Sequence, residues 1–366
     1  MSDSFSTEKT PRELGYRMPA EWERHEATWL AWPHNPEDWP GKFQAIPWLY
    51  AEIVRLLAAH ERVHILVEDA KAGQRASGIL ERAGANLDQV SFHPWPTNRS
   101  WTRDSGPIFV RNNECKVAIT NWHFNGWAKY SNWQLDDQLP GRVSELLGLR
   151  SWQPFVELDG SSQRMVLEGG SIDTNGAGTL LTTEECLLSE VQQRNPGVSR
   201  AQLEQVFHDY LGIDQVIWLD RGIAGDDTHG HIDDIARFVG PSTIVTCIEP
   251  KASDPNHAPL AENLSRLKAA HTLDGKQFEI VELPLPRPVV FSGQRLPASY
   301  ANFYIANDLV LVPTFHDPND RMALNILAEL FPGREVIGIH CVDLVWGLGT
   351  LHCMTQQQPS AVISEA

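Results

Sequence analysis

Four short hairpins, each introduced by an isolated polar residue, recur along this chain at a nearly constant interval. They read GPIFVRNNECKVAI, GSIDTNGAGTLLT, DIARFVGPSTIVTC and NFYIANDLVLVP, with turns at Asn112-Asn113, Asn175-Gly176, Gly240-Pro241 and Asn307-Asp308. Alternating β-formers around Asn-Gly or Gly-Pro punctuation predict paired strands. From Asp104 to Glu168 is 64 positions, from Glu168 to Asp233 is 65, and from Asp233 to Ser299 is 66; Cys353 follows 54 later. Repetition at such a period predicts one cyclic, propeller-like array rather than two independent domains. If the array closes, equivalent loops converge on its axis. Asp104, Glu168, His231, Asp233 and Cys353 then meet in one pocket.

Helices and strands fill the intervals. The stretch 46–60 has helical apolar spacing and precedes the strand VHILV. Ser199 and Gln202 form a capping-box pattern before a helical run to Tyr210, with Gly212 as the stop and QVIWLD as the next strand. The same order recurs at 258–270 before FEIVELPL and at 320–331 before REVIGIHC. Residues 1–15 are expected to be a mobile leader, 16–360 a single catalytic domain, and 361–366 a tail.

Charge and composition narrow the class of partner. A net charge of −17 opposes nucleic acid and anionic membrane and favours cations. No run of 18 apolar residues predicts a membrane helix, and the polar start lacks a signal-peptide core. Five cysteines without metal-finger spacing predict a reduced, cytoplasmic protein. Trp22, Trp29, Trp32, Trp39 and Trp48 crowd the first fifty residues and are expected to pack a core; an aromatic wall beside a cation is the alternative.

The chemistry sits in four polar islands: W-T-R-D ending at Asp104, L-E-G-G from Leu167, D-T-H-G-H-I-D ending at Asp233, and G-L-G-T-L-H-C-M-T-Q-Q-Q-P around Cys353. The last predicts a thiol on an exposed loop. A nucleophile, an imidazole and several carboxylates suit a cysteine enzyme acting on a cationic substrate. Trp101 is placed to stack on the substrate's chain, while Asp226 and Asp227 are candidates for a distal ammonium. His229 is a candidate at the rim, and Arg103 is expected to brace the acids. The other four cysteines are read as core fillers.

These motifs, with MPAEWERHEATWLAWPHNPEDWPG, WTRDSGP, EGGSID and GHIDDIARF, resemble those of the agmatine deiminases and their bacterial peptidyl-arginine deiminase relatives, part of the guanidino-group-modifying superfamily. The resemblance runs over nearly the whole chain. It implies an α/β fold, a five-bladed propeller of ββαβ units with the site on its axis. Matched motif by motif, it makes Cys353 the nucleophile, His231 the general acid and base, Asp104 and Asp233 the guanidinium acceptors, and Glu168 a further orienting carboxylate. It also implies a homodimer or higher homo-oligomer. Two positions depart from the pattern: Leu348 interrupts the glycines before the nucleophile, and His229 stands two before the imidazole.

The chemistry such a set performs calls for no metal or cofactor. Two carboxylates each accept paired N–H bonds from a guanidinium, and a thiolate attacks its carbon. Carboxylates beside the sulfur oppose its ionisation, so the free enzyme is expected to hold a thiol that ionises as the cation arrives. Agmatine, yielding N-carbamoylputrescine and ammonia for polyamine synthesis, leads among substrates. Free arginine and peptidyl-arginine are the alternatives within the family. A rival reading takes T-H-G-H-I-D-D as the ligand motif of a metallo-β-lactamase-like hydrolase using His229, His231 and Asp233. Asp234 stands there where that signature needs histidine. A second rival is a non-enzymatic binding platform.

Overall fold

The hairpin signals become the organising elements of the computed structural model, which describes residues 9–362. Among the described residues the main strands form five separate sheets of three or four strands. Ile108–Asn112 and Val117–Thr120 pair antiparallel, flanked by Tyr16–Arg17 and Ser151–Trp152. Asp173–Thr174 pairs with Thr179–Thr183, Ala236–Phe238 with Thr243–Ile248, and Tyr304–Ala306 with Leu309–Thr314. In each, the second hairpin strand also pairs in parallel with a third, Gln215–Leu219, Glu279–Pro284 or Glu335–His340. Parallel neighbours need a crossover, and a helix supplies it. Arg200–Leu211, His257–Ala269 and Asn319–Leu330 do so in turn.

The fifth sheet is assembled from both ends of the described chain. Gln356–Pro359 pairs antiparallel with His25–Ala31, which continues in parallel to Arg62–Leu66 and Val90–His93. The helix Ile46–Leu57 bridges the first parallel step and buries Ile46, Tyr50, Ile53, Val54 and Leu57. The architecture is mixed α/β, as the alternation of periods predicts.

Local chemistry sets the ends of these elements. The side chain of Ser199 accepts from the Gln202 N–H and Gln202 reaches back, giving both halves of the capping box. Gly212, at φ +70°, closes that helix in the left-handed region. The Asn175 side chain accepts the backbone N–H groups of Ala177 and Thr179, which fixes its hairpin turn.

Several expectations are revised by packing. Trp29 and Trp39 are fully buried, whereas Trp48 lies half exposed on the first long helix. Cys115 is not in the core: it sits at φ +61° in the turn after Asn112. Residues 1–8 of the expected leader and 363–366 of the expected tail lie outside the described residues. Within the remaining leader stretch, Arg12–Leu14 form a 3-10 turn, and Arg12 pairs with Asp214 at 2.7 Å. No helix among the described residues is long and apolar enough to cross a membrane.

Replacing Ser199 by Ala leaves one N-terminal donor of its helix unpaired. Chemical denaturation should record a loss of about 1 kcal/mol, with the native circular dichroism unchanged.

Candidate active site

The polar islands fold as single tight turns that end just before a hairpin. Thr102–Ser105 carries Asp104, Gly169–Ser171 follows Glu168, and Ile232–Asp234 follows His231 and carries Asp233. What lets these turns meet is Gly170. A Cβ built there would stand 2.6 Å from His231 Nδ1, 2.8 Å from Asp104 Oδ1 and 3.1 Å from Asp233 Oδ2. The Gly170 N–H donates to Asp104 Oδ1 at 3.0 Å, and the Trp127 indole N–H donates to Asp104 Oδ2 at 2.9 Å.

His231 is ringed by acids. Its Nδ1 lies 3.8 Å from Asp104 Oδ1 and 4.0 Å from Asp233 Oδ1, and its Nε2 lies 3.5 Å from Glu168 Oε2. Neither ring nitrogen has a hydrogen-bond partner among the described residues, and the ring is 1% exposed. Burial opposes charging this imidazole, yet Asp104, Cys186 and Glu168 together raise its pKa well above the ordinary range. The acids around it thus favour the charged form of the ring. Burial pushes Asp104 up to about 6, with His231 pulling it down and Asp233 and Glu168 pushing it further up. Glu168 goes the other way: against burial, Arg194 and His231 hold it below its usual value. Arg194 Nε donates to both Glu168 oxygens at 3.1 and 3.3 Å.

Cys353 Sγ lies 3.7 Å from Asp233 Oδ2 and receives the Asn302 amide N–H at 3.1 Å. The thiol is 7% exposed, so the sequence expectation of an exposed loop is corrected. Its loop is drawn in by the Asn302 carbonyl oxygen, which accepts from the Thr350 hydroxyl and the His352 N–H. Gly347 and Gly349 then pack against Trp39 and Trp101 at distances that leave no room for a Cβ. Burial first, then Asp233, Asp234 and Asp104, push the thiol well above its ordinary pKa.

Beside the sulfur opens a cavity of about 280 Å³ lined by Cys353, Asp104, Trp101, Trp127 and Tyr130, together with Glu37, Asp38, Arg99 and Asp227. His231, Glu168 and Asp233 lie directly behind that lining. Trp101 is buried against Trp39, ring centroids 5.5 Å apart. Tyr130 donates to Asp227 Oδ2 at 2.7 Å, and Lys129 pairs with the other oxygen. Asp38 Oδ1 accepts from Arg99 at 2.6 Å.

Not every expected residue arrives. His229, at φ +65°, faces Ser189 at 3.3 Å and does not line the cavity. The trio His229, His231 and Asp233 therefore does not converge as metal ligands. The one set of potential ligand atoms within 4.8 Å of one another, among the described residues, is Glu168, Cys186 and His231, and Arg194 already occupies Glu168. Asp226 braces the loop instead of a ligand, accepting the N–H groups of Thr228, Gly230 and His231. Arg103 does not brace Asp104 or Asp233; it engages Gln357, the His352 carbonyl and Glu21. Sequence reasoning passed over Asn302, Trp127, Arg194 and His352, while Cys186 is the core filler it was read as. Only Asn302 carried a usable signal, three residues after Ser299 at the start of the fourth hairpin.

A buried thiol, an imidazole ringed by acids and flanking carboxylates at one pocket are a set suited to a cysteine hydrolase for cationic groups. The profile of the Porphyromonas-type peptidyl-arginine deiminases matches residues 17–359, and the chain belongs to that family. It is 35% identical to an agmatine deiminase of Pseudomonas syringae, over 96% of this chain and 97% of that protein. Among solved structures it resembles the agmatine deiminase of Enterococcus faecalis at TM-score 0.88, with 31% identity over 98% of this chain and 99% of that one. A cysteine variant of C. jejuni agmatine deiminase with substrate bound superposes at TM-score 0.82, with 29% identity over 94% of this chain and 96% of that one.

Two outcomes are expected. Gly170→Ala should lower turnover of a guanidino substrate by about 100-fold or more, with an unchanged melting temperature, because the methyl displaces His231 and Asp104. Without ligand, ultraviolet titration should show no thiolate at neutral pH, and the Cys353 signal should rise only above the ordinary thiol range.

Proposed function

We propose that this protein is an agmatine deiminase: a single catalytic domain spanning 16–360, in which the five sheets are the blades of an α/β propeller with the site on its axis. One observation carries the reading. A cysteine sulfur 3.7 Å from one carboxylate borders a cavity walled by a second, with an imidazole within 4.0 Å of three acids behind it. Family relatives named agmatine deiminase, similar over nearly their whole length, support it.

The mechanism follows from charge. A guanidinium cation entering past Trp101 and Trp127 meets ring faces that attract it and carboxylates that accept its N–H groups. Asp104 receives it from the cavity wall and Asp233 from beside the thiol. Its positive charge reverses the field at Cys353, whose proton then passes to solvent through the cavity. The thiolate adds to the guanidinium carbon, forming a C–S bond and a tetrahedral adduct. His231, charged in the free protein, gives its proton to one nitrogen, the C–N bond breaks and ammonia leaves. Water adds to the thiouronium carbon as the now neutral His231 takes its proton. The C–S bond breaks, the sulfur departs, and the ureido product remains. Proton transfer of this kind contributes about 10²–10⁴-fold. Glu168, fixed by Arg194, holds the imidazole in reach of both steps.

The choice of agmatine rests on the charges lining the pocket. Beside Asp104 stand Glu37, Asp38 and Asp227; Arg99 pairs with Asp38 and Lys129 with Asp227, which leaves Glu37 without an ion pair among the described residues. Burial pushes Asp38 up to about 6 against the pull of Arg99. A primary ammonium fits this balance, whereas an α-carboxylate meets like charge. A cytoplasmic place and assembly into homo-oligomers belong to the same proposal.

Ammonia release measured in parallel on agmatine, arginine and a blocked arginyl peptide tests it. Agmatine should give the highest kcat/KM, and Cys353→Ser should abolish turnover. Equal rates on the peptide, or activity retained without the thiol, would sink this reading.

A further inference from the structure

Asp233 is gripped from the side away from the cavity. The ring of His352, next to the nucleophile in sequence, places Nδ1 2.7 Å from Asp233 Oδ2 and Nε2 2.7 Å from Glu21 Oε2. His352 is 1% exposed, Glu21 4% and Asp233 fully buried. An ionised carboxylate only accepts, so a ring held between two of them donates from both nitrogens. Glu21 is itself held by Arg237 Nη2 at 2.7 Å, by Arg103 Nη2 at 3.5 Å and by the Ile305 N–H at 2.7 Å. Glu21 stands 331 residues before His352 and is not part of the cavity lining.

We propose that Glu21 and His352 form a buried charge clamp, positioning residues that keep Asp233 ionised and turned so that its Oδ1 stays free for the substrate's N–H groups.

The surroundings require such a device. Full burial presses Asp233 toward protonation. On the other side stand His231 at 4.0 Å, His352, and Arg237 further back, itself 3.5 Å from Asp173. Tyr304, beside Glu21, stays neutral because burial and the acids Glu61 and Glu21 push its phenol up. Two adjacent aspartates are thereby given opposite states. Burial works against both, but His352 brings Asp233 below its ordinary value. Asp234 has no such cation in contact: burial, Asp233 and Asp226 push it well up, and its carboxyl meets the Asn302 amide at 3.0 Å. Oδ1 of Asp233 has no hydrogen-bond partner among the described residues, as an acceptor reserved for a ligand requires.

The inference builds on the proposed role of Asp233 as a guanidinium acceptor, so its test includes readouts that need no substrate. Nitrogen-15 NMR of histidine-labelled wild-type enzyme should show His352 with both ring nitrogens protonated at neutral pH; a neutral ring there overturns the clamp whatever any variant does. His352→Gln and His352→Asn keep a polar side chain and remove the ring's charge. With Asp233 no longer held ionised, its proton comes off at higher pH. The acid limb of kcat/KM should therefore move upward by about one unit or more, the scale of a lost carboxylate–cation contact. KM should rise more than kcat falls, and iodoacetamide should alkylate ligand-free Cys353 at lower pH than in the wild type, because a negative charge beside the sulfur has gone. Glu21→Gln should shift both profiles the same way by less. Folded His352 variants with wild-type melting temperatures and unmoved profiles, losing only kcat, would reduce His352 to scaffolding and reject the proposal.

Discussion

Concentrating carboxylates in a dry interior is the constraint that everything else in this molecule serves. An unpaired buried charge takes up a proton or unfolds the protein around it. Here each acid that is held ionised has a buried cation assigned to it: Arg194 for Glu168, His352 for Asp233, and Arg237 with Arg103 for Glu21. Asp234, with no ion pair among the described residues, and Asp104, which has only His231 at 3.8 Å, are pushed upward. Protonation in the pocket is thus dealt out by contacts at its back, far from any substrate atom. A docking cation completes a field that is otherwise unfavourable to the nucleophile. Selectivity for positive charge and activation of the sulfur then become one event.

Backbone without side chains makes that density of charge attainable. Gly170 occupies the point where three functional turns touch, and Gly347 and Gly349 allow Trp39 and Trp101 to close over the loop of the thiol. Between the latter two, Leu348 adopts φ +68°, a conformation that costs an L-residue about 1–2 kcal/mol. That residue lines the cavity, so the strain sits at the substrate's entrance rather than in the core.

What could be read from the sequence was whatever short-range chemistry fixes. Hairpin turns at Asn175-Gly176 and Asn307-Asp308, the Ser199 cap and the Gly212 stop are written in adjacent residues, and each strand or helix they predicted is present. The interval between polar islands was also visible, because every unit reuses one topology. Contacts between units were not. Arg194, Asn302 and Trp127 look like ordinary loop residues until packing sets them against Glu168, Cys353 and Asp104. The depth of Cys353 was missed for the same reason: glycines and glutamines read as an open loop, but neighbouring indoles cover it. Arg103 was assigned to the wrong acids because Glu21 is remote in sequence.

The joining of the two chain ends in one sheet has a consequence for biosynthesis. The strand His25–Ala31 leaves the ribosome more than three hundred residues ahead of its antiparallel neighbour, Gln356–Pro359. Until then one edge of the first sheet is bare, Glu21 has no imidazole to hold, and the nucleophile does not exist. The growing polypeptide must therefore shield an open β-edge until residues 356–359 emerge, a hazard for pairing with a neighbouring nascent chain.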